Sequence, residues 1–127
     1  MDYLFVYGTL MQKWQGNAWS ALLHQNAEYC GEGKVEGQLY KIDFYPGLVK
    51  GDGEVFGEIW RLKAPEKLLP LLDEYEDFIP ARPEESLYIR TVADVTDIKK
   101  SSTLRCWTYF YNRSVDLLPI YPKGRFA

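Results

Sequence analysis

Glu76 is the residue best placed for proton chemistry. It ends the run Leu72-Asp73-Glu74-Tyr75-Glu76, at the C-terminal end of a predicted helix and just before a polar loop. A carboxylate there meets the unfavourable end of the helix dipole, and partial desolvation raises its pKa. Such a group can take and return a proton near neutral pH. The competing reading makes Asp73, Glu74 and Glu76 a solvated helix face. A second candidate is Tyr7-Gly8-Thr9-Leu10, where the strand predicted over Asp2-Tyr3-Leu4-Phe5-Val6-Tyr7 stops at a glycine. Gly8 tolerates unusual backbone angles and lets a ligand approach the main chain, and free N–H groups at a strand end suit an anion or oxyanion. The plainer alternative is a strand-terminating turn. Third, Tyr88 and Arg90 share one side of a strand by the two-residue period. Together they can orient a carboxylate or clamp Glu76, or they are a core tyrosine beside a surface arginine.

Other chemistries find little support. His24 is the single histidine, near the end of a short helix, where complementing the helix dipole is its expected role. No Gly-x-Ser-x-Gly elbow accompanies it, so a nucleophile–histidine mechanism lacks parts. Cys30 and Cys106 have no cysteine or histidine neighbours at ligand spacing, so no metal site is expected. Two core thiols are expected rather than a disulfide. The net charge of −3 over 127 residues, with no basic run beyond two residues, gives nucleic-acid binding no electrostatic basis. No apolar run approaches the roughly 20 residues that cross a bilayer. Met1 leads directly into the first strand without a signal-peptide pattern, which makes a cytoplasmic protein the expectation.

The elements that must position these groups follow from periodicity. A loop is expected over residues 11–16, then a short helix capped by Asn17. Long strand character runs over 27–43, interrupted by Gly31, Gly33 and Gly37, as for bulges or the bends of a small barrel. Phe44-Tyr45-Pro46-Gly47 signals a turn. Leu48-Val49-Lys50 reads as a brief strand, Gly51-Asp52-Gly53 as a hairpin turn and 54–62 as another strand. Helical spacing appears over 64–75, with Pro65 suited to the first turn and Pro70 expected to kink or divide the helix. Strands follow at 88–97 and 104–111, then an irregular tail. The prediction is one α+β domain over 1–127, built on a bent or closed mixed sheet of about six strands with two short helices. The 46% hydrophobic and 16% aromatic content supplies a core with aromatics to spare for a pocket.

Taken in order, Tyr7-Gly8-Thr9-Leu10, Tyr45-Pro46-Gly47, Leu72-Asp73-x-x-Glu76 and Tyr88-x-Arg90 resemble the γ-glutamylcyclotransferase-like family, which includes γ-glutamylamine cyclotransferases and AIG2-like proteins. Val35-Glu36-Gly37-Gln38-Leu39-Tyr40 and Val55-Phe56-Gly57-Glu58-Ile59-Trp60 are similar to its strand patterns, and the likeness covers residues 2–111. The resemblance implies a small mixed β-barrel flanked by helices and release of 5-oxoproline from a γ-glutamyl amine, peptide or amino acid. It implies Glu76 as the acid/base, with Tyr7, Gly8, Thr9 and Leu10 holding the glutamyl group. Tyr45, Tyr88, Tyr109 and Tyr111 become candidate pocket walls, with Arg90 an anchor. The N–H groups after Tyr7 would serve either the developing oxyanion or the α-carboxylate. The expected partner is a small γ-glutamyl molecule, with no cofactor, nucleic acid or membrane, and the chain a monomer or weak homodimer. A non-catalytic γ-glutamyl-binding module on the same fold is the alternative. Departures are Asp77 where glycine often follows the glutamate, a long loop over 77–87, and a tail without the Gly-Asp-Trp-like ending of many members.

Overall fold

The computed structural model describes residues 1–14 and 16–126; Gln15, inside the loop expected over 11–16, and Ala127 lie outside them. Five strands form the mixed sheet: β1 (Tyr3–Val6), β2 (Ala27–Lys41), β3 (Pro46–Leu62), β4 (Tyr88–Asp97) and β5 (Ser102–Tyr111). Two helices, α1 (Ala18–Asn26) and α2 (Pro65–Tyr75), flank it. The strand order β1-β3-β2-β4-β5 closes into a barrel through a parallel bridge between Leu4 and Trp107. The α+β barrel expectation holds, with five strands in place of six.

The missing strand has a local cause. Residues 48–50 and 54–62 belong to one strand, β3, paired with β2 along its length. Gly51-Asp52-Gly53 is an outward excursion, bracketed by a register shift between Glu36 and Gln38 and gripped where the Gln38 side-chain amide donates to the Asp52 carbonyl. The reversal itself lies at residues 42–45, closed by Ile42 N–H donating to the Tyr45 carbonyl at 3.1 Å. Gly31, at φ +124°, sits in the second irregularity of β2, where the left-handed backbone favours glycine.

A barrel this narrow has little room inside. β2 turns Gly33, Val35, Gly37 and Leu39 inward, alternating small with large. A methyl at Gly33 would lie 2.8 Å from both Ile59 and Val95. Phe5, Leu39, Leu48, Val55, Ile59 and Val95 are almost fully buried and fill the interior. β1 buries Leu4, Phe5 and Val6 in succession, which means both of its faces are covered.

Asn17 caps α1 as expected, accepting from Ser20 N–H at 2.7 Å. Helix α2 is unbroken despite Pro70. The carbonyl that loses its N–H partner is Glu66, four residues back and itself exposed, so water can satisfy it. Burial of Leu68, Leu69 and Leu72 holds the helix in place. The tail crosses β2 and β3 as a strap: Lys41 N–H donates to Pro119, Tyr121 N–H to Leu39 and Phe56 N–H to Gly124, each at 2.8 Å. Both cysteines are free; Cys106 is buried and Cys30 exposed, which corrects the expectation of two core thiols.

Gly57 faces the end of β1, where a methyl would overlap the Val6 carbonyl oxygen and the Phe5 ring. Gly57→Ala is expected to lower the unfolding free energy by about 1–3 kcal/mol, as overpacking does. Gly51→Ala, whose nearest neighbour is Gln38 Cγ at 3.4 Å, should stay within about 0.5 kcal/mol of the parent. Urea denaturation of the pair checks this.

Candidate active site

At one end of the barrel the exit of β1, the β2–β3 hairpin, the end of α2 and the start of β4 surround a cavity of about 250 Å³. Gly8, Thr9 and Leu10 line one side and Glu76 another. Of the residues singled out from sequence, Tyr7, Tyr45, Tyr88 and Tyr109 also line it, whereas Tyr111 and Arg90 do not.

The loop after β1 is tied down through its carbonyls. Gly8 O accepts from Met11 N–H at 3.1 Å, Thr9 O from the Asn17 side-chain amide at 3.1 Å, and Leu10 O pairs with His24 Nε2 at 2.9 Å. The Thr9 hydroxyl meets Tyr75 OH at 2.6 Å, joining the loop to the end of α2. Among the described residues, no acceptor takes the N–H groups of Gly8, Thr9 or Leu10. Three donors in a fixed loop with no internal acceptor are the kind of group that an anion or oxyanion site uses. Gly8 serves here through size rather than backbone angle, since its φ is not positive and a Cβ would lie 3.1 Å from Pro46 Cγ. His24, in the last turn of α1, stacks on Trp60 at 4.6 Å and is absent from the cavity wall; it fixes this loop.

Glu76 is the C-cap residue of α2. Asp77 N–H donates to Glu74 O at 3.2 Å and Phe78 N–H to Asp73 O at 2.8 Å, the two bonds of a Schellman ending. Asp77 occupies the left-handed position at φ 56°, which explains physically why glycine suits that place. The Asp77 side chain is exposed, and the acid acting on Glu76 is instead Asp73. Burial first, and then the Asp73 charge, push the Glu76 carboxyl up to about 8.

Asp73 corrects two expectations. It is buried rather than solvated, three residues from Glu76 on the same helix face. Arg90 does not clamp Glu76 or enter the cavity. Its Nε and Nη2 donate to the two Asp73 oxygens at 2.6 and 2.9 Å, and its guanidinium lies over Trp107 at 4.6 Å. Tyr109 OH donates to the same carboxylate at 2.7 Å. Two more tyrosine hydroxyls of the cavity wall are also committed: Tyr7 OH donates to Tyr109 O and Tyr88 OH to Pro46 O, both at 2.6 Å. Burial holds all three well above the ordinary tyrosine range, aided by Glu76 at Tyr7, Tyr7 and Glu76 at Tyr88, and the Asp73 hydrogen bond at Tyr109. Sequence reasoning missed Phe44, Pro46, Tyr75 and Leu87 as cavity walls. Adjacency to Tyr45 and Glu76 was the available signal for the first three; Leu87 had none. Among the described residues no cluster of three metal-ligating side chains occurs.

A family model described as "Gamma-glutamyl cyclotransferase, AIG2-like" matches residues 4–127. The chain belongs to this family. It is 32% identical over 123 residues to the γ-glutamylcyclotransferase family protein YtfP of Escherichia coli, covering 95% of this chain and 92% of YtfP. Among solved structures it is similar to an AIG2-like protein from Mus musculus, with a TM-score of 0.76 at 26% identity, covering 100% of this chain and 88% of that one. Bacillus subtilis YkqA shares the fold with a TM-score of 0.71 at 22% identity; the match covers 98% of this chain but 39% of YkqA. In this γ-glutamylcyclotransferase-like chain Arg90 therefore braces α2 rather than reaching the cavity. Arg90→Ala strands a buried carboxylate and should lower the unfolding free energy by about 3–5 kcal/mol. Arg90→Lys, keeping the charge without the paired donors, should recover part of it in urea titrations.

Proposed function

We propose that the chain releases 5-oxoproline from a γ-glutamyl amine or peptide by attack of the substrate's own α-amine on its γ-carbonyl. The observation that carries this reading is that Glu76 lines one cavity with Gly8, Thr9 and Leu10, residues whose amides have no acceptor among the described residues. Ring closure is intramolecular, so holding the glutamyl chain folded supplies much of the rate. No protein nucleophile or cofactor is required by this chemistry. Glu76, as carboxylate, takes a proton from the α-ammonium. The freed nitrogen attacks, charge develops on the carbonyl oxygen, and an N–H donor there is worth about 3 kcal/mol. As the C–N bond breaks, Glu76 returns the proton to the leaving nitrogen. Over the cycle the α-nitrogen loses two protons and the leaving nitrogen gains two, so one carboxyl group can carry each in turn.

A carboxyl at about 8 is well matched to this task. The α-ammonium of a γ-glutamyl compound sits beside its own free carboxylate and titrates somewhat above the peptide α-amino range near 7.7–8.0, so its transfer to Glu76 is only modestly uphill. Glu76→Gln should lower 5-oxoproline release about 10²–10⁴-fold, assayed on a panel of γ-glutamyl amides. Undiminished turnover by that variant overturns the mechanism. Ligand-dependent stabilisation without product in the parent would instead identify a binding module.

The activity profile should rise with pH through about 8, but the substrate amine contributes to the same limb. Stability separates them. The unfolded carboxyl titrates near 4.5 and the folded one near 8, so between these values the folded chain holds a proton that the unfolded chain has lost. Parent stability therefore falls as pH rises through this window, and Glu76→Gln removes the slope. The variant should gain on the parent between pH 5 and 9 by on the order of a few kcal/mol, measured by urea unfolding at each pH.

A further inference from the structure

Beyond the glutamyl group, the rest of the cavity wall is marked by what it lacks. Among the described residues Glu76 is its only carboxylate, and no lysine or arginine lines it. Arg90, the cation nearest in sequence to the walls, spends its donors on Asp73. The hydroxyls of Tyr7, Tyr88 and Tyr109 are likewise turned to internal acceptors. The hairpin side offers Phe44, Tyr45 and Pro46, with Leu87 from the start of β4 beside them. Phe44 is 80% exposed, the most exposed aromatic ring described, and packs edge-on against Tyr45 at 5.3 Å. An aromatic held outward at the rim of a cavity loses water only when something apolar sits against it.

We propose that this rim, built from Phe44, Tyr45 and Leu87, is the leaving-group subsite and that it takes an uncharged apolar amine, aromatic or long aliphatic. The proposal rests on the cyclotransferase reading and names its substrate class. A leaving group bearing a carboxylate, such as an α-amino acid, finds no counter-charge here, and the exposed Asp43 beside Phe44 repels it further. The three free amides do not relieve this, because the glutamyl α-carboxylate and the oxyanion use them.

Four substrates sharing the γ-glutamyl group test the assignment: its methylamide, its phenethylamide, its γ-linked peptide with phenylalanine, and its 5-aminopentylamide. The second and third differ by one carboxylate; the fourth carries an ammonium on an aliphatic chain. From 5-oxoproline release, kcat/KM for the phenethylamide should exceed that for the methylamide roughly 10–100-fold, the scale of burying one aromatic group. It should exceed the phenylalanine peptide and the aminopentylamide at least tenfold. Phe44→Ala should shrink the phenethylamide-to-methylamide ratio at least threefold. Equal rates across the panel, or preference for either charged substrate, overturn the subsite while leaving the cyclotransferase reading intact. Absence of product from all four overturns that reading instead. Calorimetric affinities for the Glu76→Gln variant then decide the subsite independently: the same order supports it, and a flat or charge-favouring order overturns it.

Discussion

The Asp73 carboxylate is the point on which the architecture of this site depends. Helix α2 is short and, among the described residues, has no backbone hydrogen bond to the sheet. Its leucines bury against the barrel, and what orients its end there is one side chain receiving two guanidinium donors from β4 and one hydroxyl from β5. Buried ion pairs of this kind contribute little net stability relative to apolar packing, but their geometry is exacting and removal of one partner is severe. The gain is therefore positional. With Asp73 anchored, the helix cannot rotate, and the residue three positions on is held at the cavity. The same negative charge, beside a desolvated carboxyl, also raises the Glu76 pKa. One group both places Glu76 and raises its pKa.

The loop after β1 uses a complementary principle. Peptide groups have two ends, and here the carbonyl ends are consumed by Met11, Asn17 and His24 while the N–H ends are left available. A loop tied by its carbonyls cannot turn to satisfy its own donors. This links α1 to the cavity: its cap residue and its last-turn histidine each hold a carbonyl of the loop they pack beneath. The site is consequently a place where local stability has been given up. Unmatched donors and a desolvated carboxyl are unfavourable in the free protein, and the anionic, proton-exchanging ligand of the proposed reaction is of the kind that would satisfy both.

Much of the fold was legible because its signals are local. The bounds of β4 over 88–97, the Asn17 cap and the reversal near Tyr45-Pro46 follow from alternation, side-chain capping and turn chemistry. Gly51-Asp52-Gly53 misled because the same residues serve a hairpin turn and a bulged excursion, and only the facing strand decides between them. Pro70 misled because its missing hydrogen bond falls on an exposed carbonyl. Glu76 was legible from its helix end, the lack of a rival base and the family resemblance. Arg90 was not, since strand periodicity gives the side on which a residue lies but not which of two acids, one helical turn apart, it will meet.

The cavity tyrosines bear on how much chemistry can be spread beyond Glu76. A phenol has one proton, and those of Tyr7, Tyr88 and Tyr109 are spent on a carbonyl, a carbonyl and a carboxylate respectively. Transferring one to a reacting nitrogen would leave a phenolate in surroundings that already push its pKa upward. Giving up the hydrogen bond would also leave a buried acceptor unsatisfied, at about 1–3 kcal/mol. These rings are therefore walls with locked orientations. In the proposed reaction the proton traffic narrows to Glu76, and the glutamyl end is read by backbone that Asn17 and His24 hold in place. Discrimination among substrates then falls to the hairpin and the start of β4, which can vary without disturbing the anchor at Asp73.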